Sequence, residues 1–156
     1  MREVPGRSVG TALAMLDDAV RYTLQWPTGR YTRGVTAAAG LLTSWGDDST
    51  RWANTWGRPT GAKGITSAWR APRTGQVFEI RFHTPQSTAA QRAARPLRAE
   101  QRRPGTPPGR ARDLRARQDA LFAAVPVPAG ADRLTAPVRR APGPAPAPLP
   151  ARTAAP

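Results

Sequence analysis

Residues 77–83 read Val-Phe-Glu-Ile-Arg-Phe-His, an alternation of period two bounded by Gly75 and Pro85. Strand side chains project to alternate sides, so Phe78, Ile80 and Phe82 share one face while Val77, Glu79, Arg81 and His83 share the other. The first face demands a core. The second, a row of acid, base and imidazole, is either the solvated side of an antiparallel sheet or the lining of a ligand cleft.

The segments before it supply the partners. Leu13, Leu16 and Val20 have helical spacing, and the strand formers of "VRYTLQW" follow and stop at Pro27. Residues 31–45 resume a helical pattern with Tyr31, Val35, Ala38 and Leu42 on one stripe, interrupted by two glycines. "STRWANTW" reads as a strand and "GRPTGAKG" as a loop, while "ITSAWR", "APRTG" and "QVFEIRF" read as strand, hairpin turn and strand. The expected fold is α/β (α+β), a mixed sheet of about four strands flanked by helices. Beyond Pro85, "STAAQRAA" begins a helix that Pro96 is expected to interrupt, and a second helix starts at Pro107 and Pro108 with Leu114, Arg117 and Leu121 on one side and Phe122 adjoining.

Composition limits how much of the 156 residues folds: twelve of the 18 prolines lie beyond residue 100. "APGPAPAPLPARTAAP" cannot bury enough apolar area to offset its ordering entropy, so a disordered C-terminal tail is expected. The implied organisation is a core over 11–90, a basic helical extension over 91–125 and a Pro/Ala-rich tail over 126–156. Residues 1–90 carry eleven basic and six acidic side chains and residues 91–156 thirteen and four, so most of the net charge of +14 lies in the second part. Such an arginine excess attracts nucleic acid, nucleotides or anionic surfaces without regard to sequence. With no cysteine and one histidine, disulfides, thiolate metal sites and multi-histidine metal sites within one chain are excluded. "VGTALAML" is too short to span a bilayer and no cleavable leader surrounds it, so no membrane association and a cytoplasmic location are expected.

The order "DDAVRYTLQW", "YTRGV", "NTW", "GAKGITSAWR", "GQVFEIRFHTP" resembles the synthetase domain of RelA/SpoT-type alarmone enzymes, over about residues 12 to 90. The resemblance implies a nucleotidyltransferase-like mixed sheet and transfer of pyrophosphate from ATP to the 3′-hydroxyl of an acceptor nucleotide. It implies Glu79, Arg81 and His83 in catalytic positions, Lys63, Arg21 and Asn54 as substrate contacts, and Asp17 or Asp18 as the carboxylate that holds Mg²⁺. Such chemistry needs a metal carboxylate, cations for the triphosphate and an acceptor for the hydroxyl proton. The sequence departs from the family at several places. Ala62 stands where an aromatic residue stacks on the acceptor base, a loss of about 1–3 kcal/mol. Ala53 stands in a lysine position, residues 93–98 lack a histidine-containing helix, and only Arg2 and Arg7 precede the aspartates, which reads as N-terminal truncation. The expected activity is therefore weakened or lost.

A different class fits the same residues: a basic nucleic-acid-binding protein in which Trp26, Trp45, Trp52, Trp56 and Trp69 stack on bases and arginines supply the electrostatics. Tryptophans at alternating strand positions are more often core. The site residues also have plain readings: Asp17 and Asp18 ending a helix, Lys63 solvated in a loop, His83 contacting the turn after its strand, and Glu79 as an exposed partner of Arg70 or Arg73.

Overall fold

The computed structural model describes residues 20–138. Strand β1 (Arg21–Gln25) leads through a 3₁₀ turn into helix α1 (Tyr31–Ser44), followed by β2 (Asp48–Asn54), β3 (Ile65–Arg70) and β4 (Val77–His83). Helices α2 (Pro85–Gln101) and α3 (Pro108–Ala123) complete the fold, with a last 3₁₀ turn at Ala131–Arg133. The sheet order is β1-β4-β3-β2, with β1 parallel to β4 and the other pairs antiparallel. This is the expected four-stranded mixed α+β sheet. The helical pattern at 12–19, with Asp17 and Asp18, lies outside the described residues.

Local chemistry sets the boundaries. β1 ends where the Trp26 amide donates to the His83 carbonyl at 3.1 Å and Pro27, which has no N–H, follows. Helix α1 ends in a Schellman motif: Gly46 adopts φ +91°, its amide donates to the Thr43 carbonyl, and the Asp47 amide donates to the Leu42 carbonyl. Helix α2 opens on a capping box in which Thr84 Oγ1 accepts from the Ser87 amide at 3.1 Å and Ser87 Oγ accepts from the Thr84 amide at 3.0 Å. Pro85 occupies the first turn, where its missing N–H costs nothing.

Pro96 does not interrupt α2, contrary to the sequence-based expectation; the helix runs through it to Gln101. An interior proline forfeits one backbone hydrogen bond and costs about 3 kcal/mol. Here the capped start and the packing of Ala90 and Ala94 in the core, in one cluster with Phe122 of α3, outweigh that cost. In α3 the buried residues are Leu114, Gln118 and Phe122, so the stripe is rotated from the Leu114–Arg117–Leu121 side.

The core lies on the even-numbered side of β4. Ile80 and Phe82 with Ile65 and Trp69 of β3 meet Tyr31, Val35 and Ala39 of α1. Tyr31 Oη donates to the Phe82 carbonyl at 2.9 Å and accepts from Trp56 Nε1 at 2.8 Å, so this buried hydroxyl is satisfied on both sides. The chain after α3 returns to this layer. Trp52 Nε1 donates to the Leu134 carbonyl at 3.1 Å, and Val125, Pro128 and Ala131 are buried. Pro128, Ala131 and Leu134, grouped with the tail on composition, are thus packed against the fold.

Trp26 stacks on Phe82 with ring centroids 6.1 Å apart, and its indole also lies against Gly34 of α1. A β-carbon at Gly34 would stand 2.4 Å from the ring, whereas one at Gly40 of the same helix would meet nothing within 4 Å. Gly34→Ala is therefore expected to destabilise the protein by about 1–3 kcal/mol through overpacking, despite alanine's better helix propensity. Gly40→Ala is expected to stabilise it by about 0.5–1 kcal/mol. Urea denaturation of the two variants checks the opposite signs.

Candidate functional site: an arginine-lined face of the sheet

On the odd-numbered side of β4 the strand register aligns one row across all four strands: Arg51, Ala68, Glu79 and Arg21. A one-residue bulge at Thr50 makes the row possible, because the pairing shifts between Ser49 and Arg51. Strict alternation would place Arg51 on the core side; the extra residue turns Arg51 to the polar side and Trp52 into the core layer.

The Glu79 side chain is not in bulk water. The residue is 4% exposed; Oε1 accepts from Arg81 Nε at 2.7 Å and forms an ion pair with Arg21 Nε at 2.8 Å, while Oε2 accepts from Arg51 Nη2 at 2.8 Å. Arg51 and Arg81 alone bring two positive charges to the single negative charge of Glu79. The arginine side chains remain between about a third and a half exposed, so the cluster opens to solvent through its cations. The hairpin residues Arg70 and Arg73 take no part in it. Arg51 is absent from the site that the sequence suggests; the signal that finds it is the phase change within "DSTRWAN".

From Arg81 the polar face continues into a depression of about 300 Å³ between the sheet and α2, lined by Thr23, Gln25, Arg81, His83, Thr88, Gln91, Arg92 and Arg95. Gln25 Nε2 donates to Thr88 Oγ1 at 2.7 Å and ties β1 to the wall helix. Two further arginines, from α2, thus face the same hollow. The arrangement presents guanidinium forks, hydroxyls and amides toward one anion-sized space.

The remaining expected residues lie elsewhere or are already engaged. His83 is buried at the foot of α2, with Nδ1 3.1 Å from Ser87 Oγ and Nε2 3.4 Å from Gln91 Nε2. Its ring lies against Gly64, where a β-carbon would be 2.6 Å from Cε1. Lys63 is buried and its ammonium donates to the Arg58 carbonyl, closing the loop between β2 and β3. Asn54 is on the core side of the sheet, where Nδ2 donates to the carbonyls of Ala131 at 2.8 Å and Leu134 at 3.0 Å. The structure therefore brings Glu79, Arg81, Arg21 and His83 to one face, places Lys63 in the adjoining loop, and commits Asn54 to holding the C-terminal segment.

Among the described residues, no group of three or more His, Cys, Asp or Glu is placed to hold a metal ion. Among the described residues Glu79 is the one carboxylate in the arginine cluster, and guanidiniums engage both its oxygens. So engaged, Glu79 is unsuited to Mg²⁺, which favours accessible carboxylates and several waters, and Asp17 and Asp18, the expected metal carboxylates, lie outside the described residues. No helix among the described residues is long and apolar enough to cross a membrane.

Burial lowers the pKa of His83 below the ordinary imidazole value of 6.5, and the neighbouring Arg81 charge pushes it the same way, against a hydrogen bond to the Lys63 main chain. The unfolded chain then binds more protons than the folded one below that value, so this contribution to stability is complete above pH 6.5. It is lost as the pH falls through 6.5 toward the lowered folded value. Urea titrations at about pH 7.5 and about pH 5.5 are expected to show wild type losing stability, and His83→Gln losing less over the same interval.

No protein-family model and no curated protein matches the sequence. Among solved structures, the crystal structure of smu.1046c from Streptococcus mutans UA159 superposes with a TM-score of 0.53 at 13% sequence identity. The match covers 74% of this chain and 60% of that one. At this identity the likeness is one of fold, and this chain spans about three-fifths of that protein's length.

Proposed function

We propose that this chain is a diverged nucleotide-binding module of the RelA/SpoT alarmone-synthetase type. The arginine-lined face of the sheet receives the polyphosphate of ATP or of an acceptor nucleotide, and pyrophosphoryl transfer is weak or absent. The observation that carries the reading is the convergence of Arg21, Arg51 and Arg81 on the polar side of the sheet, continued by Arg92 and Arg95 around the hollow under α2. Phosphate is the ligand whose oxygens suit several guanidinium forks at once. Thr23, Gln25, Thr88 and Gln91 offer hydroxyls and amides to the sugar. Weak transfer follows from the engagement of Glu79: a carboxylate shared among three guanidiniums is not free to accept a hydroxyl proton or to hold a metal. The metal carboxylate that the resemblance implies, Asp17 or Asp18, lies outside the described residues.

A second reading has support of its own. Arg98, Arg102 and Arg115 line a separate depression of about 410 Å³ between α2 and α3, which suits sequence-independent contact with nucleic-acid phosphates. The tryptophans contribute little to it, since Trp56 and Trp69 are buried, Trp26 and Trp52 pack against the core, and Trp45, at 64%, is the exposed one.

Equilibrium dialysis with labelled ATP and GDP, with and without Mg²⁺, tests the first reading. Saturable binding that weakens with salt is expected, and Arg81→Ala is expected to reduce affinity on the order of tenfold, the worth of one charge-assisted hydrogen bond to phosphate. Product from labelled ATP and GDP is expected to match a Glu79→Ala control. Absence of saturable nucleotide binding overturns the proposal, and a single-stranded oligonucleotide that binds where nucleotides do not supports the second reading.

A further inference from the structure

The seat around Glu79 is assembled from three strands, and one of its arms has to cross a fourth. Neighbouring strands lie about 4.8 Å apart, so Arg51 of β2 starts two strand spacings from Glu79 of β4. It reaches Oε2 at 2.8 Å by passing over β3 at Ala68, which is fully buried and carries only a methyl group. On the other flank Arg21 approaches from β1, and on the same strand Arg81 approaches from two residues along. A surface ion pair needs one cation. Here a bulge, a small residue and an edge strand together bring three to one carboxylate.

The bonds of Arg51 and Arg81 to Glu79 use one nitrogen of each, Nη2 and Nε, and a guanidinium carries five N–H donors. The cations are also the exposed part of the cluster and the carboxylate the sealed part. An anion arriving from solvent therefore meets guanidiniums first, and the two charges of Arg51 and Arg81 already exceed the single charge of Glu79. A carboxylate offers two oxygens and one charge; a phosphoryl group offers three oxygens and up to two charges, a closer match to the Arg51 and Arg81 guanidiniums together.

We propose that Glu79 is the resident anion of a three-arginine oligophosphate seat, and that this carboxylate competes with the incoming phosphate instead of assisting it. The inference rests on the reading that this face binds nucleotide polyphosphates and assigns Glu79 the opposite sign of effect from a catalytic glutamate. The incoming oligophosphate takes the guanidinium donors, and Glu79 is left with fewer of its three partners. Removing the charge at 79 while keeping the side chain's shape must then strengthen oligophosphate binding.

Isothermal titration of inorganic pyrophosphate into the wild type, Glu79→Gln and Arg51→Ala proteins tests this. Glu79→Gln is expected to bind on the order of tenfold more tightly, the factor that one charge-assisted hydrogen bond freed for the ligand is worth, and Arg51→Ala more weakly than wild type. Because neutralising Glu79 leaves three cations facing one another, the Gln variant is also followed by thermal unfolding. Pyrophosphate is expected to raise its midpoint by more than it raises that of wild type. Equal or weaker binding with an equal or smaller shift overturns the proposal, as does a Gln variant that stays unfolded at saturating pyrophosphate, which makes Glu79 a structural tie alone. Titration of ATP into the same proteins separates the two readings. Pyrophosphate binding that strengthens in Glu79→Gln without saturable ATP binding leaves the seat and removes the nucleotide assignment, whereas wild-type ATP binding that does not strengthen in Glu79→Gln does the reverse.

Discussion

A carboxylate sealed to 4% exposure inside a sheet surface is the constraint around which this molecule is arranged. Desolvating such a group costs several kcal/mol, and only close, well-aligned partners compensate. The partners come from β1, β2 and β4, so the charge cluster registers three strands on the side of the sheet away from the core. This matters most for β1, an edge strand with no buried residue, whose Tyr22 is 55% exposed. It is held by main-chain bonds to β4, by the Arg21–Glu79 ion pair and by Gln25 on Thr88, with little help from packing.

The same strand organises both layers. Even-numbered residues of β4 anchor the core, and the Phe82 carbonyl accepts from the Tyr31 hydroxyl, which in turn accepts from Trp56. Odd-numbered residues build the charged face and end at His83, whose ring fits between Gly64 and the capping box of α2. The imidazole thus positions the helix that walls the hollow and the loop that borders it, which is a sufficient reason for a buried histidine without any chemical step. Lys63, buried and bonded to the Arg58 carbonyl, fixes the loop from its other end.

Much of this is legible in the chain. Period-two alternation marks β4 and its two faces, Pro27 marks the end of β1, and the "APRTG" turn marks the hairpin, because each is a local steric or patterning effect. The α1 stripe is also visible, although Ala39, not Ala38, is its buried member. Where local signals mislead, a tertiary interaction is decisive. Pro96 reads as a helix breaker until α3 packs beside α2, and the Val-Pro-rich stretch from 126 reads as tail until Trp52 and Asn54 bind its carbonyls.

The fold class, the core face of the sheet and the placing of Glu79, Arg81 and His83 as neighbours on one side follow from the chain alone, since alternation is a property of the extended backbone itself. What those residues face does not. That Arg51 joins them depends on a bulge, on the smallness of Ala68 and on the pairing of strands that brings a residue 28 positions earlier across the sheet to Glu79. That Asn54 and Lys63 turn to structural partners depends on segments that meet them only in three dimensions. Charge–charge distances between strands are set by register and twist, and these are decided by the packing of the whole sheet, not by any one stretch of chain.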